Sequence, residues 1–333
     1  VKIKKKEFQT LLTSLRPKIV DTIEESVGNF VFTGEELVVF NGRTLVRKPF
    51  QSDFVCSVDV RKFYELVSAG DDDLDVFVDG KEVRVSSQST QSGLPQSSDT
   101  ITKEVMNSVL IDKIEWRNLP GDFIQALSLC MFSVSRDMTR GALTGISVNG
   151  RNVISSDDYR ISWYCMDGEV DTMVLPLSSV IDLVRYSVVE YSCSQGWAHF
   201  RMNDGGVFST VLINEEYPDS SDFFGVEGVR MSIPSNLGNI LKAILPFAEG
   251  DLDLDKRVYI SVGSGKLICK GEGTNGWVKK EIEVRYDRKE VKFAVNPIFL
   301  GQILRDLSPI MTVSDTAILF SVKKFKHIMA VAL

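Results

Sequence analysis

Apolar and polar residues alternate along most of the chain. The stretches "LVVF" (37–40), "DVFVDGKEVRVSS" (75–87), "AHFRMNDGGVFSTVLI" (198–213), "RVYISVGSGKLICKG" (257–271), "GWVKKEIEVRY" (276–286) and "AILFSVKKFKHIMAVAL" (317–333) alternate or run apolar. They have the two-residue period of strands and are rich in Val, Ile and Phe. Asp79-Gly80, Asn203-Asp204-Gly205-Gly206 and Gly263-Ser264-Gly265 break them and predict antiparallel hairpins. Six other stretches space their apolar residues three and four apart, as a helix does. They are "KKEFQTLLTSL" (5–15), "DVRKFYELVSA" (59–69), "PGDFIQALSLCMFSV" (120–134), "LSSVIDLVRYS" (177–187), "PSNLGNILKAILPF" (234–247) and "NPIFLGQILRDL" (296–307). The expected class is α+β, with short helices among many antiparallel strands.

The helices recur in order. Three of them end at Val67, Val184 and Leu304, so the steps between them are 117 and 120 residues. Near-constant spacing predicts three copies of one α+β unit; three unrelated domains of similar size are the alternative. The expected domains are 1–104, 105–224 and 225–333. "SSQSTQSGLPQSSDT" (Ser86–Thr100) reads as a strand end running into a linker, and "NEEYPDSSDFFGVEG" (Asn214–Gly228) as the corresponding break before the third unit.

At 333 residues the chain is too long for one ordinary core, which agrees with several domains. No apolar run approaches 18 residues, so no membrane partner is expected. The start "VKIKKKEFQTLLTSL" is basic but lacks the apolar region of a signal peptide. The five cysteines are scattered, with no C-x-x-C. They read as reduced core thiols, which places the chain in the cytoplasm. Two histidines, His199 and His327, leave little material for a His-based metal site or triad.

Several motifs lose their usual chemistry in context. "GEGTNG" (271–276) matches a dinucleotide fingerprint, but strand alternation follows it where a helix is required. "DLDLDK" (251–256) has Lys at the sixth position of a calcium loop, where Gly is needed, and "GDDDLD" (70–75) joins a helix to a strand. Both read as solvated loops. Asp157-Asp158 is read as a turn, since no nucleophile or base is paired with it by spacing. No metal or other cofactor is expected.

Net charge is −7, which argues against nucleic acid unless charge is segregated. Cations do gather on or near the helical stretches: Lys4, Lys5, Lys6, Arg16, Lys18, Arg61, Lys62, Arg136, Arg140, Arg185, Lys242 and Arg305. The acids there are Glu7, Glu65, Asp122, Asp137, Asp182 and Asp306. This is either a shared basic surface facing phosphates or the solvated side of ordinary amphipathic helices.

Six stretches carry a family resemblance by their order and spacing. They are "VKIKKKEFQTLL", "TRGALTGISVNGRNVISSDDYRISWY", "VLPLSSVIDLVRY", "FSTVLINEEYPD", "FAVNPIFLGQILRDL" and "FKHIMAVAL". Together they resemble the bacterial DNA sliding clamp, the beta subunit of DNA polymerase III, over nearly the whole chain. The resemblance implies three clamp domains per chain, each with two helices packed on antiparallel sheets, and two chains joined head to tail as a ring. It implies a processivity factor without catalytic activity that encircles double-stranded DNA regardless of sequence. DNA polymerase and clamp loader would dock through short apolar peptides. The implied peptide pocket comprises Leu143, Ser156, Asp158, Tyr159, Arg160, Ile161, Pro218, Phe223, Phe299, His327, Ile328, Met329, Ala330 and Val331. Leu245 and Phe247 would lie at the subunit interface, with Ser89 where an aromatic often seals it.

The chain departs from that family at informative places. It ends Met329-Ala330-Val331-Ala332-Leu333 where a Met-Pro-Met-Arg-Leu type tail is usual. Asp158-Tyr159 replaces the usual Gly-His before the pocket arginine. Such divergence fits a phage-encoded clamp. The rival readings are a clamp-like interaction module that never encircles DNA, and an enzyme with a site around Asp157 and Asp158.

Overall fold

The computed structural model describes residues 1–15, 28–109, 114–307 and 309–331. Expectations that fall on Arg16, Lys18, Ala332 and Leu333 lie outside the described residues. The helices are α1 (Lys5–Leu15), α2 (Val60–Ala69), α3 (Thr100–Ser108), α4 (Phe123–Cys130), α5 (Leu177–Leu183), α6 (Leu237–Ile244) and α7 (Pro297–Asp306). Every described strand pairing with a resolved register is antiparallel.

Local chemistry explains the helix ends. Asp59 caps α2 by accepting from the Lys62 amide at 2.8 Å. Asn296 caps α7 by accepting from the Ile298 and Phe299 amides, with Pro297 in the first turn, where its missing N–H costs nothing. α4 and α6 stop short of the expected spans. Met131–Ser133 and Leu245–Phe247 tighten into 3-10 turns, the second at Pro246, which cannot donate the next helical bond. Arg136 and Arg140 therefore lie past the helix, Arg136 on an exposed loop and Arg140 in the 3-10 turn Met138–Thr144.

The chain divides into two compact units, 1–124 with 168–214 and 125–167 with 215–333. In the first unit, a four-stranded sheet runs Lys2–Lys4, Asp73–Asp79, Glu82–Ser86, Gln91–Pro95 in pairing order. An eight-stranded sheet runs Cys56–Asp59, Asn29–Phe32, Glu36–Phe40, Thr44–Pro49, Val207–Val211, Trp197–Met202, Val188–Ser194, Arg117–Asn118. Phe8 of α1 and Phe63 of α2 meet edge to face at 5.9 Å, and Phe32 and Phe50 pack beside them.

The Ser/Gln-rich stretch corrects the linker expectation. It forms the strand Gln91–Pro95 and leads into α3, so the boundary expected at 104/105 lies within a helix. Its polar composition hides the pattern. Val105 and Met106 pack on Val31, Val38, Phe40 and Leu45, and that tertiary contact holds the helix.

In the second unit, a six-stranded sheet runs Gly145–Ser156, Arg160–Pro176 (its residues up to 167), Phe325–Ala330, Ala317–Val322, Ile310–Val313, Val229–Ser232. A four-stranded sheet runs Gly276–Glu283, Lys266–Gly273, Val258–Gly263, Val291–Val295. Leu237, Leu241 and Ile244 of α6 and Leu300 and Ile303 of α7 share one core with Ile260, Phe320 and Met329. "GEGTNG" is the hairpin connection between Lys266–Gly273 and Gly276–Glu283, with Gly273 paired to Gly276.

Candidate functional site

The turn Asp157–Asp158 is built around one buried ion pair. Asp157 Oδ1 accepts from the amides of Tyr159 (3.2 Å) and Arg160 (3.1 Å), and its Oδ2 accepts from Arg160 Nε at 2.8 Å. The Arg160 side chain is 7% exposed and that of Asp157 9%. The Arg160 guanidinium also donates to Gln302 Oε1 of α7 and lies against the rings of Phe299 and Phe132. Burial pushes its pKa down, and the Asp157 carboxylate opposes that shift. Asp158 closes the turn at φ 71°, a conformation that a short polar side chain tolerates better than a branched one.

The turn delivers the strand Arg160–Pro176 against Phe325–Ala330. Arg160 faces Met329, Ile161 faces Ile328 and Ser162 faces His327, while the Ala330 amide donates to the Tyr159 carbonyl at 2.9 Å. The pleat divides these residues between two faces. Ile161, Ile328, Tyr159 and Ala330 border a cavity of about 360 Å³. Leu143, Ser156, Asp158, Arg160, Pro218 and Phe223 complete most of the expected wall, and Asp219, Ser220, Thr316 and Ala317 also border it. Tyr159 and Phe223 stay 49% and 60% exposed at this cavity, and Ile161 and Ile328 are buried.

Phe299, His327, Met329 and Val331 do not border the cavity. Residues 327 and 329 alternate with 328 and 330, so they point to the other side of the sheet. Met329 is 1% exposed in the core, Val331 packs on that core, and Phe299 lies behind the Arg160 guanidinium. His327 is fully buried. Its Nδ1 is 2.9 Å from Ser162 Oγ, which is 2.7 Å from Ser133 Oγ. Burial and the nearby Arg160 hold its pKa well below the ordinary histidine range, so the ring is neutral.

Four of the cavity residues were not legible in the sequence. Thr316 and Ala317 had a signal: Ala317 is the cross-strand partner of Ala330 in a hairpin whose turn lies at Lys323-Lys324. Asp219 and Ser220 had none beyond their neighbourhood to Pro218.

The cavity can accept apolar groups. Its serines are engaged, Ser156 Oγ donating to the Arg160 carbonyl and Ser220 Oγ to that of Pro218. No histidine stands among the lining residues. Among the described residues, no group of three His, Cys, Asp or Glu side chains could hold a metal ion. Burial pushes the Cys56 and Cys269 thiols up to about 12, so both stay protonated near neutral pH. Among the described residues no helix is long and apolar enough to cross a membrane.

The expected DNA-facing cations occupy different settings. Lys6, Arg61, Lys62, Lys242 and Arg305 stand on the exposed sides of α1, α2, α6 and α7. Lys4 pairs with Asp73 at 2.6 Å, Lys5 donates to the Gly70 carbonyl at 2.7 Å, and Arg185 is 3.4 Å from Asp182. Arg136 is exposed on a loop, and Arg140, in the 3-10 turn Met138–Thr144, pairs with Asp158 at the cavity rim, so neither belongs to an α-helical face. Ser89 lies in the turn before Gln91–Pro95, its amide and hydroxyl both donating to Asp71. Leu245 and Phe247 are half-buried on the turn after α6.

No protein-family model matches this chain, and no curated protein sequence does. Solved structures match it from end to end. The sliding clamp of Bartonella birtlesii bound to griselimycin has TM-score 0.85 at 15% identity, covering 100% of this chain and 99% of that one. The DNA polymerase III beta subunit of Borrelia burgdorferi in complex with a natural product has TM-score 0.85 at 14% identity, covering 100% and 98%. The beta clamp of Helicobacter pylori bound to a DNA ligase peptide has TM-score 0.81 at 14% identity, covering 100% and 99%. This chain has the α+β fold of the bacterial DNA sliding clamp, at very low sequence identity.

Proposed function

We propose that the chain is a cytoplasmic, non-catalytic processivity factor: a homodimeric ring that encircles double-stranded DNA and tethers a replicative polymerase. The reading rests above all on the end-to-end match to sliding clamps. Each copy contributes three clamp domains, divided beside α3 (Thr100–Ser108) and at 224/225. The mechanism is topological, since a closed ring leaves DNA only by opening or by sliding off an end. Weak, sequence-blind contacts from Lys6, Arg61, Lys62, Lys242 and Arg305 to phosphates are enough for sliding.

Two open sheet edges support ring closure. Gln91–Pro95 ends one four-stranded sheet, and Gly276–Glu283 ends another. Pairing the first edge of one copy with the second edge of its partner hides both, and head-to-tail repetition closes the ring. Ser89 adjoins the first edge. The turn Leu245–Phe247 packs against the strand Gly276–Glu283 and flanks the second.

The cavity is the docking site for polymerase and clamp-loader peptides. The H. pylori clamp is bound to a DNA ligase peptide, and the apolar cavity of about 360 Å³ here has room for one or two large side chains. The decisive experiment follows protein loaded on circular duplex DNA with its polymerase's loader. Long retention on the circle and release on linearisation are expected. Salt-resistant binding to short linear duplex would overturn the topological reading.

A further inference from the structure

We infer that the cavity selects a peptide whose apolar side chains are flanked by lysine or arginine. This rests on the peptide-docking reading above and adds the charge of the partner. The floor is apolar, with Leu143, Ile161 and Ile328, but one wall is not neutral. Pro218, Asp219, Ser220 and Phe223 come from the stretch 214–228, which holds Glu215, Glu216, Asp219, Asp222 and Glu227 and no lysine or arginine. Glu215 is committed to the Ala142 amide at 3.0 Å. Asp219 borders the cavity, and Glu216 and Asp222 are exposed on the same stretch beside it in sequence. Across the cavity stands a further carboxylate, Asp158.

The cations at the cavity's lining and rim do not balance this wall for an incoming anion, although the exposed Arg136 stands close enough to Arg160 to act on its charge. Arg160 borders the cavity, but its guanidinium is buried against Asp157 and Phe299. Arg140 stands at the rim already paired with Asp158, and both side chains are nearly half exposed. An acidic peptide could meet Arg136 or take Arg140 from its partner, but either way it would face the carboxylates of the wall. A basic peptide is attracted by the negative charge of that stretch, whatever its carboxylates bond to, and can replace Arg140 on Asp158, an exchange between exposed pairs that costs little. Phe223, 60% exposed beside Asp222, adds a ring face over which a lysine or guanidinium can lie. The acidic wall also steers cationic segments towards the cavity.

The test uses two fluorescent nonapeptides with the same central leucine and phenylalanine, one flanked by two lysines and one by two glutamates. Their affinities for the full chain are measured by anisotropy at low and at high salt. The lysine peptide should bind about fivefold tighter at low salt, and high salt should erase the difference. In Asp219→Asn/Asp222→Asn, isosteric changes at exposed positions whose melting temperature is checked alongside, the preference should fall towards one. Equal binding of both peptides to the wild-type chain, or tighter binding of the glutamate peptide, overturns this inference and leaves the docking site standing. Failure of both peptides to bind at any salt overturns the docking site itself.

Discussion

The guanidinium carbon of Arg160 lies 3.8 Å from the centre of the Phe299 ring, while its Nε donates to Asp157 at 2.8 Å. One side chain thus ties the acidic turn to α7 through a buried ion pair and a ring face. Arg160→Met should leave Asp157 buried without its cation and cost about 3–5 kcal/mol of unfolding free energy. Adding Asp157→Asn should restore most of that loss, because an amide oxygen can still accept from the Tyr159 and Arg160 amides. Urea unfolding of the two variants checks both statements. A double variant no more stable than the single would mean that the ring contacts, and not the charge, hold the turn.

Asp158 stands at φ 71°, where the resembling family carries glycine. Asp158→Gly should relax the turn and keep the melting temperature at or above that of the wild type, despite losing the exposed pair with Arg140. Asp158→Val places a β-branched residue in the left-handed region and should cost about 1–2 kcal/mol. Thermal unfolding of the two variants separates backbone strain from lost charge.

Cavity and core residues alternate along Phe325–Ala330, and two variants read that alternation. Phe223→Ala truncates a 60% exposed ring at the cavity, so stability should change by less than about 0.5 kcal/mol. The same change should weaken an apolar peptide about tenfold. Met329→Ala, at a core position 1% exposed, should cost about 2–5 kcal/mol of stability and leave the affinity of the folded protein nearly unchanged. Calorimetric titration and denaturant unfolding on both variants give the four numbers.

His199 bridges two hydroxyls, Ser194 Oγ at its Nε2 and Ser209 Oγ at its Nδ1, both at 2.9 Å. Burial pushes its pKa down to about 4 from 6.5. The folded pKa lies below the unfolded one, so the unfolded chain takes up the proton first as pH drops. The stabilisation is present above about 6.5 and is lost as pH falls towards 4. Between about pH 7 and pH 5 this single group should remove about 2 kcal/mol, and His199→Gln should flatten that part of the profile. Unfolding free energies measured across this range check the slope.

Trp277 sits 66% exposed on the open edge strand Gly276–Glu283. If that edge closes the ring, Trp277→Glu should move the protein from dimer to monomer in sedimentation while its melting temperature changes little. A wild-type chain that sediments only as a monomer at micromolar concentration would count against the ring before any variant is made.

The sequence by itself determined what depends on neighbours a few residues apart. The period of "KKEFQTLLTSL" sets the buried face of α1, with Phe8, Leu12 and Leu15 inward. Asp59 and Asn296 mark helix starts, and Gly-Ser-Gly at 263–265 turns one hairpin. The run "SSDDYRISW" announced a tight turn followed by a strand, because the acidic pair and the alternation are both local signals. Tertiary structure alone decided the rest. Nothing local brings Val46 opposite Phe208 or Ile161 opposite Ile328, since those pairings close loops of well over a hundred residues. The side of the sheet to which Ile328 and His327 each point followed only once the register was set, because a one-residue slip exchanges the two faces. The polar segment 100–108 became a helix through contacts with apolar residues far away in sequence. Likewise, Asp219 and Ser220 became part of a cavity wall when the fold carried a plain acidic loop beside the strand Arg160–Pro176.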